Sequence, residues 1–379
     1  MIYAGSASGI FAYDLTSNEV EVLNKTNVLS DVEVHKLDFD PVSSTLIIIY
    51  KNTNIDLITN GRTYNIPNIL NQNIIGQKMI NDVAVTDGFA YLACTFGIVK
   101  IDLKKRQIVD SYQNIGPNGT TINVQDVAIL NNELFASSHD GLFRASLNSG
   151  NLSDFNFWSR IYADSTGQLL SFSNYLLVGK RGVIVRYNGI SFDSLSGVSA
   201  SPVLNLRIID NKALSIQSDR IVSYNTAFAF STYNENGILD ALSDKNGNYY
   251  LSIMLQGLVH FEPGGNTYIG VGGPYSTTAF KFAYSAGQKK LFVASGSVDG
   301  IAIQGGWKNS YNRNGYYIFD GNSWSNGIDL KNPLADRCMD LIDVVCDNSN
   351  KTYFTSFNSG LLELTNAVPS QVYDTSNTN

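Results

Sequence analysis

Three cysteines, three histidines and three tryptophans are all that 379 residues hold of these types, and only 16% of the chain is charged. Cysteine this sparse builds no disulfide framework. Cys94 sits in an apolar strand and reads as a small core residue. Cys338 and Cys346 could face each other across a hairpin, and their spacing matches no metal signature. His35, His139 and His260 fall in three different repeats, with no HxH or HExxH spacing. That excludes the familiar metal and histidine-based chemistries and predicts histidines that are exposed or hydrogen-bonded. No run of about 18 apolar residues exists, so no helix is expected to span a membrane. A formal net charge of −7 with no Lys/Arg-rich face argues against nucleic acid as a partner. Lys104-Lys105-Arg106 and Lys180-Arg181 are short and read as hairpin turns. Met1-Ile2-Tyr3-Ala4 has neither the basic segment nor the apolar run of a signal peptide.

Against these absences stand 21 tyrosines, 19 phenylalanines and 32 glycines. Short runs rich in Val, Ile, Tyr and Phe, punctuated by Gly, suit half-buried strands joined by tight turns. One such phrase recurs nine times, at spacings of about 43 residues. Its clearest copy runs Asp82-Val83-Ala84-Val85, a turn at Asp87-Gly88, Ala90-Tyr91-Leu92-Ala93, a turn at Thr95-Phe96-Gly97, then Ile98-Val99-Lys100-Ile101-Asp102. A repeat of this length with three or four strands predicts the blade of an all-β propeller. Glycine at the second turn supplies a positive φ, and where it is lost Asn54 and Asp219 are expected to replace it. Ala4, Ala93, Ala136 and Ala294, late in the second strand, are expected where neighbouring sheets approach closely.

Seven copies run at near-regular spacing from Gly9 to Gly257, and then Gly270-Val271-Gly272-Gly273-Pro274 marks a boundary. Residues 1–272 are therefore predicted to form a seven-bladed β-propeller, and residues 273–379 the first two blades of a second, truncated one. Residue 2 already begins the second strand of a blade, so the first blade is expected to be incomplete and the chain to be a fragment. The eighth copy carries a long insertion, Ser297 to Asn314, between its second and third strands. That loop lies on the face where propellers commonly carry function. Its Trp307, Lys308, Tyr311 and Arg313, with Asn312, suit sugars or anions; the plainer reading packs Trp307 onto its own blade. Asp244-Lys245-Asn246-Gly247-Asn248 resembles a calcium loop but lacks the downstream bidentate Glu and reads as turn chemistry. Gly264-Gly265 and Gly272-Gly273 precede no helix and are not phosphate loops. Asp14, Asp56 and Asp102 sit at the ends of outer strands, away from an axial carboxylate pair. No catalytic residue, metal or cofactor is expected.

Several stretches resemble the N-terminal propeller of PorZ-type proteins of the type IX secretion system. They are Ile2-Tyr3-Ala4-Gly5 to Tyr13-Asp14, Asn27-Val28-Leu29-Ser30-Asp31, Tyr91 to Val99, Gly141-Leu142-Phe143-Arg144-Ala145, Tyr317 to Trp324 and Ser359 to Glu363. Their motifs are shared with two-component-regulator propeller repeats. The resemblance implies two seven-bladed propellers followed by a sorting domain, at the periplasm or cell surface. It implies supply of anionic lipopolysaccharide, or another surface polysaccharide, to a sortase, with other secretion-system proteins as partners. A signal sequence, most of the second propeller and the sorting domain would lie outside this chain. The alternative is a periplasmic sensor propeller of a hybrid two-component regulator, which would continue into a membrane helix and a kinase.

Overall fold

The computed structural model describes residues 1–378 apart from positions 245, 255, 264, 271, 272, 275, 277, 300–307, 322, 323 and 328–331. Among the described residues there are eight four-stranded antiparallel sheets, one three-stranded sheet and one two-stranded ribbon. The chain divides into two compact units, Met1–Val271 and Gly272–Asn379.

The first unit is a seven-bladed β-propeller. Its first sheet has three strands, Ile2–Ser6, Gly9–Tyr13 and Val20–Leu23. Six four-stranded sheets follow, beginning at Val34–Asp40, Ile80–Thr86, Val124–Leu130, Leu169–Phe172, Val203–Ile209 and Ile238–Ser243. These opening strands are the inner ones, and each lies against the next around the axis. Every junction between consecutive sheets holds its own apolar cluster. Between the second and third sheets Ile47, Ile49, Leu57, Leu92 and Val99 are buried together, and each such side chain contributes about 1.5–3 kcal/mol. Ala93 and Ala136 are buried between the third and fourth sheets, where a larger side chain would hold the sheets apart. Ile2 packs with Tyr250, Leu258 and Ile269, so the seventh sheet meets the first and the ring closes.

The recurring phrase is the central hairpin of each sheet, and its turn glycine has two jobs. Gly97 has φ +119, and a Cβ built there would lie 2.1 Å from the Tyr112 carbonyl oxygen in the outer strand. Gly9, Gly141 and Gly360 meet the carbonyls of Leu23, Tyr162 and Tyr373 in the same way, at 2.4, 2.2 and 2.1 Å. Close approach of the outer strand thus joins positive φ as the reason for glycine. The expected substitutes do not behave as predicted. Asn54 and Asp219 keep negative φ, and in the second sheet Thr53 takes the left-handed conformation at φ 72. Asn54 is buried instead, its Oδ1 accepting from Ile55 N–H and Asn65 Nδ2.

The second unit holds two four-stranded sheets. In one, Lys290–Ala294 pairs directly with Tyr316–Phe319, so the long insertion does join the second and third strands. The other runs from Leu341 to Tyr373 and packs on the first through Phe292, Tyr316, Phe354 and Leu362. Cys338 and Cys346 are free and do not face each other across a hairpin. Cys338 precedes the strand Leu341–Cys346, in which Cys346 stands opposite Thr352.

Candidate functional site

Two places in the structure collect polar side chains suited to a ligand: the loop singled out above, and the axis of the first ring. In the loop, Val298–Asp299 pairs with Lys308–Asn309 as a two-residue ribbon. Trp307 lies outside the described residues. Lys308 and Arg313 are exposed, and Tyr311 is 69% exposed. Arg313 Nη1 donates to the Asp336 carbonyl at 3.1 Å. None of the three side chains shares a hydrogen bond with another; what they share is a backbone held from below. Asp340, fully buried, accepts from the Ser310 N–H at 3.0 Å, the Tyr311 N–H at 2.9 Å, the Asn312 N–H at 2.8 Å and the Ser310 hydroxyl. Satisfying four donors with one carboxylate pins the loop while its charged and aromatic side chains stay exposed.

The axial site was not singled out from the sequence. In five inner strands the ladder shifts register just before a polar residue: Lys36, Asp82, Asp126, Asn205 and Asp240. Such an irregularity turns the strand and re-aims that side chain. Lys36 Nζ pairs with Asp82 at 2.9 Å, and Arg207 pairs with Asp240 of the next sheet. Gln168 Nε2, two sheets away, donates to Asp82 at 3.2 Å. Asp82, Asp126 and Asp240 each also accept from the N–H of the following residue. The signal was present in Asn81-Asp82-Val83, Gln125-Asp126-Val127 and Leu239-Asp240-Ala241. It lay one strand ahead of the hairpin on which the repeat is easiest to see. Part of this ring lines a cavity of about 420 Å³, together with Ile2–Gly5 of the first sheet.

Burial pushes the Asp38 carboxyl up to about 6, and the nearby carboxylates of Asp82 and Asp40 act in the same direction. Burial, then Asp82, likewise raises Asp126 well above the ordinary range. For Asp38 the linkage runs against the usual carboxylate. Between its ordinary 3.8 and about 6 the folded state holds a proton that the unfolded state has released, so stability falls as pH rises through that window. Asp38→Asn, which keeps an acceptor for the Phe39 N–H, is therefore expected to stabilise the protein at pH 7.5 by up to about 2–3 kcal/mol. Melting curves of variant and parent should differ at pH 7.5 and converge near pH 4. An equal difference at both would show that charge is not the cause.

The remaining candidates resolve simply. His260 stacks on Tyr250 with ring centroids 4.0 Å apart and meets Asp244 at 3.3 Å; His139 lies exposed beside Ser165. Asp244 accepts from the N–H groups of Asn246 and Asn248, which is turn chemistry. Asp56 departs from its expected place: it is fully buried, accepting from the Tyr50 hydroxyl, Ser30 N–H and Asn65 Nδ2. Among the described residues no three His, Cys, Asp or Glu side chains gather as a metal site, and no helix is long and apolar enough to cross a membrane.

Seven sheets around a polar axis, with a tethered loop on a second unit, set the frame for comparison with known proteins. Residues 2–159 match the family model "TSS9, PorZ, N-terminal beta-propeller domain". The resemblance read from the sequence is shown over that segment. Among solved structures, the whole chain resembles PorZ of Porphyromonas gingivalis, described as an essential bacterial surface component of the type-IX secretion system. The TM-score is 0.68 at 19% identity, covering 99% of this chain and 51% of PorZ. The chain thus spans about half the length of that protein. The extracellular domain of the putative one-component system BT4673 from B. thetaiotaomicron aligns with 99% of this chain and 58% of its own, at 12% identity and a TM-score of 0.49. No curated protein matches the chain by sequence.

Proposed function

We propose that this protein is a non-enzymatic binding propeller of the periplasm or cell surface, acting in type IX secretion by presenting anionic lipopolysaccharide to the sortase that anchors secreted proteins. The observation that carries the reading is the match of residues 2–159 to the PorZ N-terminal propeller. We read the second unit as the first two blades of a second ring, and the insertion loop as the place where polysaccharide binds. Lys308 and Arg313 are exposed cations suited to phosphate or carboxylate groups, Arg313 with donors to spare beyond the one it gives the Asp336 carbonyl, and Tyr311 offers a flat face to a sugar ring.

The test is retention of the protein on immobilised anionic lipopolysaccharide, with a neutral lipopolysaccharide as control. The parent should be retained on the first alone, and the double variant Lys308→Ala/Arg313→Ala should lose about tenfold or more in affinity, since charge-assisted hydrogen bonds contribute roughly 1.5–3 kcal/mol. No retention of the parent would sink the proposal. Retention of a neutral oligosaccharide in place of the anionic one would favour the sensor reading.

A further inference from the structure

Arg186 stands at the junction of the fifth and sixth sheets of the first ring, on the third strand of the fifth, Val183–Tyr187. Its guanidinium carbon lies 5.2 Å from the ring centre of Tyr175 and 4.9 Å from that of Phe228. Among the described residues no other arginine lies over two rings. Tyr175 comes from the second strand of the same sheet, two residues before Leu177, which stands opposite Arg186. Phe228 reaches across from the sixth sheet, out of the turn between Arg220–Tyr224 and Phe230–Asn234. Aromatic walls engage a guanidinium by its faces and leave its N–H edge for another partner.

That edge has no partner within the chain. Nε is buried and donates to nothing. Asp193, opposite Arg186 in the ladder, comes only to 3.8 Å of it, beyond hydrogen-bond reach. The Nη atoms are not buried, and among the described residues they too donate to no protein group. Arg207 and Arg144 differ: the first closes on Asp240, and the second reaches Glu133 and Tyr187. A half-buried cation with its donors unused carries a desolvation cost that no bond in the chain offsets.

A second observation concerns Phe228. It has φ 62, a conformation strained for a bulky residue. Its turn enforces this. Phe228 N–H donates to the Asn225 carbonyl at 2.8 Å, and Asn225 Oδ1 accepts from the N–H groups of Ala227 and Ala229, each at 3.0 Å. The ring is thereby set nearly perpendicular to Phe172 and Tyr175, with centroids 5.8 and 5.2 Å away. Backbone strain of this kind collects where the placing of a side chain serves binding.

We propose that Arg186 is an oxyanion-binding residue that takes a carboxylate or phosphate group of a ligand on its Nη donors. Tyr175 and Phe228 are the walls that aim it, and Asp193 is the internal counter-ion with which the ligand competes. The planar N–H fork matches two oxygens of either group. Asp193 is exposed and too distant to hydrogen-bond, so it weakens binding without blocking it. The site lies in the first unit and does not rest on the polysaccharide reading of the loop in the second.

The test is a titration of the whole 379-residue protein with sodium phosphate and, separately, sodium acetate, at ionic strength held constant with sodium chloride. The readout is the arginine Nε–Hε resonances in a proton–nitrogen correlation spectrum, with that of Arg186 assigned by its loss in Arg186→Lys. Burial of Nε shields its proton from exchange with water, which favours detection. The Arg186 resonance should move saturably, with half-saturation below about 50 mM, and Asp193→Asn should lower that concentration at least about twofold. Movement with acetate alone assigns a carboxylate ligand, with phosphate alone a phosphate, and with both the chemistry they share. Three results each overturn the proposal: no saturation with either anion by that concentration, movement no greater than that of exposed Arg62 and Arg181, or an affinity unchanged in Asp193→Asn.

Discussion

Gly97→Ala is expected to lower the melting temperature of the first ring by about 10 °C, while Gly88→Ala, in the same sheet, lowers it by about 2–4 °C. Both glycines have positive φ, +119 and +77. Alanine at either position therefore incurs a backbone cost of about 1 kcal/mol. Only Gly97 faces a second obstacle. Its added Cβ would lie 2.1 Å from the Tyr112 carbonyl oxygen and 2.8 Å from Gln113 Cα, whereas nothing lies within 4 Å of one at Gly88. Backbone cannot rotate out of the way as a side chain can, so the outer strand must shift and its ladder to Ile98 must loosen. We expect about 3–5 kcal/mol in all, at the upper end of single substitutions. Thermal unfolding of the two variants beside the parent separates the contributions. Equal losses would show that φ alone requires the glycine.

Asp340→Ala should disorder the insertion loop and abolish polysaccharide retention without touching the first ring. The carboxylate serves three backbone N–H groups and one hydroxyl. Removing it strands several donors, at about 1–3 kcal/mol for each that stays buried. Asp340 also has φ 46, a conformation that aspartate and asparagine tolerate better than alanine. Asp340→Asn therefore isolates the hydrogen bonds from the backbone strain, and it should retain part of the effect because its amide donates where donors already converge. Hydrogen exchange reads this directly. Amides of Ser310, Tyr311 and Asn312 should lose protection in Asp340→Ala, to a smaller degree in Asp340→Asn, while those of Leu92 and Leu134 stay unchanged. Unaltered protection in the loop would mean that Asp340 does not hold it.

The architecture was legible because a propeller writes its period into the chain. Most central hairpins combine β-branched strands with a turn glycine, and where the outer strand approaches closely, as at Gly97, Gly141 and Gly360, no side chain fits in its place, so these stand out even in divergent copies. Exceptions were misread for a related reason. Asn54 looked like a conformational stand-in, yet its amide is engaged in hydrogen bonds to Ile55 and Asn65, a role that depends on strands meeting in three dimensions. The axial carboxylates were harder still. Asp82 and Asp126 are unremarkable residues in sequence, and only the closure of the ring brings Lys36, Gln168 and Asp82 to one place. Burial then decides which of the carboxyls keep their protons, and no local pattern carries that information. The loop bearing Lys308, Tyr311 and Arg313 was found by its length and composition. Its anchor, Asp340, lies about thirty residues away and left no sequence signal of its own.

The junction of Ile2 with Tyr250, Leu258 and Ile269 has a bearing on how the ring comes to exist. The other six junctions join sheets adjacent in sequence and can form as soon as each pair of sheets is made. This one joins residues some 250 positions apart, so it has the largest closure entropy and forms last. Until it does, the molecule is an open arc whose two end sheets expose apolar faces to solvent and to other chains. Folding of the first unit is therefore a race between intramolecular closure and association, and its yield on refolding should depend on protein concentration.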